Sequence, residues 1–152
     1  MKKAFWLATL AYLVPTFPLG YFWHLTTFRS AYDRLEMYRP DVIIPFGLLS
    51  MAVQAVIFAW AYPRLFSTRR EHWVRSAVGF FVAFAALSWS FTTLAAGAKY
   101  RMTSVPDFMK LETAFTVLQF AIVAPLIALA YRGARAPSAA PGPVAEDATG
   151  AS

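Results

Sequence analysis

A few polar side chains stand among long apolar runs in this chain, and their spacing groups them. Glu112, Thr116 and Gln119 fall at i, i+4 and i+7, one face of a helix. Ser50 and Gln54 are four apart, as are Ser88 and Thr92, and Lys99 continues near the face of that second pair. His24 closes the first apolar run. Gathered together, His24, Ser50, Gln54, Thr92, Lys99, Glu112, Thr116 and Gln119 would form a polar pocket. That pocket would hold one carboxylate, one imidazole, one ammonium and several amide and hydroxyl groups. Such a set can bind a ligand or an ion, or relay a proton. The competing reading is adhesion between helices, through hydrogen bonds worth about 0.6 kcal/mol each and a Lys99–Glu112 ion pair.

Other chemistries find little support. The chain has no cysteine, which removes disulfides, thiolate metal sites and cysteine nucleophiles. His24 and His72 are the only histidines and are expected on opposite membrane faces, so the two cannot bridge a haem or a metal. There is no HExxH, no glycine-rich phosphate loop and no Ser-His-Asp signature. No catalytic residue, metal or cofactor is assigned. An acid–base pair of Glu112 and His24 ranks last among the functional readings.

Four stretches must position the polar set: 4–28, 42–63, 76–98 and 113–131. None contains Asp, Glu, Lys or Arg. A spanning helix needs roughly 20 mostly apolar residues, and all four approach or exceed that length. Charged residues are only 14% of the chain, against about 25% in soluble domains. A soluble four-helix bundle would need a polar outer face that segments such as 52–62 lack. The expected fold is therefore an all-α, four-transmembrane-helix bundle over residues 1–132, with spans at about 4–24, 42–62, 74–97 and 108–131. The opening residues imitate a signal peptide, but Pro15, Pro18 and Tyr21 crowd the cleavage region, so an uncleaved first span is expected.

Pro15 and Pro18 predict a kink or irregular backbone near 18–20. After the first span, Phe28, Tyr32, Leu35 and Tyr38 recur at helical spacing between charged residues, which predicts a short interfacial helix. Asp41 and Asp107 are expected to cap the second and fourth spans. Residues 133–152, rich in Ala, Pro, Gly and Ser, read as a disordered tail. One side of the membrane would carry Lys2, Lys3, Arg64, Arg69, Arg70, Arg75, Arg132 and Arg135; the other would carry Arg29, Arg34, Arg39, Lys99, Arg101 and Lys110. Eight against six puts both termini in the cytoplasm. The net charge of +6 is read as topology and contact with anionic headgroups, not nucleic-acid binding.

The Trp23-His24 end of the first span, the stretch IIPFGLLSM with Gln54, Ala61-Tyr62-Pro63, and Lys99 followed by Leu111-Glu112-Thr113 resemble a group of small bacterial four-helix membrane proteins of unknown function. The resemblance covers about residues 5–132. It implies a fold and a place in the bacterial inner membrane, and no active site. The expected role is a non-enzymatic binding or assembly protein with a polar interior. Its expected partners are the lipid bilayer and either a second copy or another membrane protein. The alternative is a small transporter working as an oligomer.

Overall fold

The computed structural model describes residues 2–134, and they form an all-helical chain. Helix α1 is Lys2–Phe22, α2 is Arg29–Leu35, α3 is Ile44–Leu65, α4 is Trp73–Trp89, α5 is Ala95–Lys99 and α6 is Val105–Tyr131. A π-helical turn at Trp23–Thr27 prolongs α1, and another at Ser90–Leu94 joins α4 to α5. Four helical stretches are long and apolar enough to cross a bilayer: Lys2–Thr27, Ile44–Leu65, Arg70–Lys99 and Val105–Tyr131. Their outward faces are apolar as well, with Leu10, Val14, Phe46, Leu49, Val82 and Phe91 all exposed. The expected tail lies outside the described residues apart from Gly133 and Ala134, and so does Arg135.

Helix α6 packs along α1 and α4, and α1 packs along α3. The small residues Ala8, Ala55 and Ala59 are fully buried there, which lets backbones approach. Helices α3 and α4 meet through rings. Phe58 lies 5.6 Å from Phe80 and 4.9 Å from Phe84, edge to face in both cases, and 5.9 Å from Phe120 on α6. Tyr62 and Tyr131 stack at 5.4 Å, and the Tyr131 hydroxyl donates to the Ala59 carbonyl at 2.6 Å. These rings fill the half of the bundle where α3 and α6 end.

The other half is built differently. Every residue from Asp41 to Ser50 is exposed, so the first turns of α3 are only loosely covered by their neighbours. Helix α2 lies across this end and buries Tyr32 and Leu35 against Phe108 of α6. Thr103 secures it, donating from its amide to Leu35 at 3.2 Å and from its hydroxyl to Arg34 at 2.6 Å. At the opposite end the chain leaving α6 is tied to the α3–α4 loop: the Gly133 amide donates to Thr68, and Thr68 Oγ1 donates to Ala134.

Several local expectations need correction. The backbone does not become irregular at 18–20. Helix α1 runs through Pro15 and Pro18, and the departure comes later, in the π turn that starts at Trp23. Asp41 does not cap α3, which begins at Ile44; Asp41 lies 3.6 Å from Arg39 instead. The cap of α6 is Ser104, whose hydroxyl accepts from the Asp107 amide at 3.4 Å and donates to the Asp107 carboxylate at 2.8 Å. Asp107 is thus the third residue of the helix, as in a capping box.

Phe80 is fully buried at the centre of the ring cluster. Phe80→Ala is expected to cost about 3 kcal/mol, the low end of the usual range for truncating a buried ring. Thermal unfolding of the purified protein in detergent would show the drop.

Candidate functional site

In the half of the bundle that the rings leave open, polar side chains from α1, α3, α4 and α6 face one another across a cavity of about 330 Å³. Its wall includes His24, Ser50, Gln54, Thr92, Glu112, Thr116 and Gln119, seven of the eight residues singled out by spacing. Lys99 is the eighth, and it stands apart, exposed at the end of α5. No Lys99–Glu112 ion pair occurs among the described salt bridges. The reason is local. The π turn at Ser90–Leu94 carries an extra residue, and one residue rotates a helix face by about 100°. The face bearing Ser88 and Thr92 therefore does not continue to Lys99.

The cavity floor is a chain of hydrogen bonds. Gln119 Nε2 donates to the Tyr12 hydroxyl at 2.9 Å, and that hydroxyl donates to Gln54 Oε1 at 2.6 Å. Gln54 Nε2 in turn donates to Ser50 Oγ at 3.1 Å. Helices α6, α1 and α3 are linked through one tyrosine. Thr16, one turn on from Tyr12, lines the same cavity, and its Oγ1 is buried without a hydrogen-bond partner.

Above this floor sits Glu112, only 8% exposed. Its Oε1 accepts from the Tyr32 hydroxyl of α2 at 2.7 Å and lies 3.8 Å from His24 Nδ1. No described hydrogen bond reaches Oε2. His24 Nδ1 is hydrogen-bonded with the Tyr38 hydroxyl at 3.0 Å, and Tyr38 stacks on Tyr32 at 4.9 Å, nearly parallel. Burial, reinforced by the Glu112 carboxyl, holds the hydroxyls of Tyr32 and Tyr38 above their usual titration range, so both stay protonated. Phe115 meets His24 edge to face at 4.6 Å. The carboxyl group thus looks into a space walled by tyrosine, phenylalanine and histidine rings.

Spacing alone missed Tyr12, Thr16, Tyr32 and Tyr38. Tyr12 and Thr16 do carry a signal, being four apart on the first span, but a tyrosine in an aromatic-rich run reads first as packing or anchoring. Tyr32 and Tyr38 belong to the short helix and its exit, and their approach to Glu112 depends on how α2 folds back over α6.

No family model, curated protein or solved structure matches the chain. The reading of the site therefore rests on its own geometry.

Tyr12→Phe removes the oxygen through which Gln119 and Gln54 are both bonded. A stability loss of about 1–2 kcal/mol is expected, since two amide groups lose their partner in a low-dielectric interior. Lys99→Ala, by contrast, should stay within about 0.5 kcal/mol of the parent. Unfolding of both variants in the same detergent makes the comparison.

Proposed function

We propose that this chain is a multi-pass protein of the bacterial inner membrane whose polar interior is a binding site. It has no catalytic role in this reading, and it belongs beside the small four-helix membrane proteins that its sequence resembles. The four long helices span the bilayer, α2 lies at its surface, and both termini face the cytoplasm. The cavity then opens on the outer side. A second copy or another membrane protein would pack on the exposed apolar faces of the helices.

One observation carries the binding reading: Glu112, buried and with no described hydrogen bond to Oε2, looks into a cavity to which all four long helices contribute polar groups. Burying a carboxyl group is costly unless partners compensate. Adhesion between helices alone would bring the polar groups into direct contact and leave no such space. The alternative, a small oligomeric transporter, needs a path beyond the Tyr12 network. There the rings of Phe58, Phe84 and Phe120 occupy the core, which favours binding over passage.

Glu112→Gln keeps the shape of the side chain and removes its charge. It is expected to abolish retention of the bound small molecule by the purified protein, with expression and unfolding temperature unchanged. Mass spectrometry of solvent extracts from the two proteins makes that comparison. An occupant held equally by both would refute the site, and a lowered unfolding temperature alone would assign Glu112 to packing.

Topology can be tested separately. Because the chain lacks cysteine, single introduced cysteines report cleanly. A membrane-impermeant maleimide applied to intact cells should label Arg101→Cys and spare Arg69→Cys. The reverse pattern would invert the orientation.

A further inference from the structure

The polar cavity has a neighbour on its α1–α3 side. A second hollow of about 330 Å³ runs along the outside of these helices, where the start of α3 is exposed. Its walls are apolar: Phe17 and Leu25 with Val42, Ile43, Leu48 and Met51. The two spaces share four lining residues, His24, Tyr38, Gly47 and Met51. Gly47 stands at this junction, and a Cβ there would meet nothing within 4 Å. An apolar groove and a polar chamber thus adjoin at a shared wall, in which Gly47 is the one residue without a side chain.

The chamber holds one acidic side chain. Glu112 is the one side chain in its lining that carries a formal charge, and no lysine or arginine is among the residues around it. Its other walls include the rings of Tyr12, Tyr38, Phe108 and Phe115. A carboxylate set among aromatic faces is the recognition chemistry of an organic ammonium group: the charge supplies the ion pair and the ring faces supply cation–π attraction. Arg39, the one lysine or arginine lining the groove, is paired with Asp41 at 3.6 Å but stays largely exposed, so its guanidinium can still meet a phosphate.

We infer that the site takes a membrane lipid whose headgroup carries an ammonium. The lipid enters sideways between α1 and α3. Its ammonium sits against Glu112 among the rings, its phosphate lies toward Arg39, and an acyl chain remains in the apolar groove. This rests on the binding reading above and adds to it the ligand class and the route.

Native mass spectrometry from detergent, with added palmitoyl-oleoyl phosphatidylethanolamine or phosphatidylglycerol, tests the inference. The protein should retain the ethanolamine lipid at collision energies that strip the glycerol lipid. Glu112→Gln should lower that retention roughly tenfold or more, the scale of losing one desolvated ion pair while the rings remain. Gly47→Phe leaves the chamber chemistry intact and fills the junction, and it should lower retention as well. Equal retention of both lipids, each weakened in Glu112→Gln, would overturn the ammonium selection and leave a binding site standing. Loss in Glu112→Gln with full retention in Gly47→Phe would overturn the route from the groove. Retention unaffected by either substitution would mean annular lipid only, overturning both this inference and the binding reading.

Discussion

One tyrosine oxygen holds three helices in register. The Tyr12 hydroxyl accepts from Gln119 on α6 and donates to Gln54 on α3, using its proton and a lone pair in a single short chain. In an apolar surrounding each of those amides would be costly to leave unpaired. The contact therefore fixes the depth of all three helices relative to one another. It also divides the interior. On one side, packed rings of Phe58, Phe80, Phe84 and Phe120 fill the core. On the other, polar groups stand apart and enclose one.

The two halves obey different physics. The ring-filled half gains from dispersion and edge-to-face geometry, which need no water to drive them. The open half has little packing to spare. Tyr32 and Leu35 of α2, the Thr103 bonds to the end of α2 and the Ser104 cap of α6 support it, while the start of α3 stays exposed. Glu112 depends on that support, because its one described donor, Tyr32, comes from the helix lying across the end of the bundle.

How much of this was legible follows from periodicity. The polar stripe of Glu112, Thr116 and Gln119 obeys a 3.6-residue repeat within one uninterrupted helix, so its shared face could be read directly. The same rule failed for Lys99 because a π turn intervenes, and nothing in SFTTL announces one. Tyr12 escaped for another reason: its value lies in two long-range partners, 42 and 107 residues away in sequence, which no local spacing reveals. The four bilayer-length helices were the most legible feature, since length and absence of charge decide them. The ends were less so: Asp41 resembles a cap by residue type, but Arg39 takes it as a partner and α3 starts further on.

The free start of α3 gives the molecule a lever. The helix is gripped at Ala55, Ala59 and Tyr62 and ungripped from Ile44 to Ser50. From Gln54 to Gly47 the arm is about 10 Å long at 1.5 Å per residue, so a tilt of about 10° would move Gly47 by about 2 Å. That is about half the width of a methyl group, and it acts where groove and chamber adjoin. In a bilayer, helix tilt answers to hydrophobic thickness. Access to the chamber would then be set partly by the membrane itself, with thickness acting as an input that needs no binding partner.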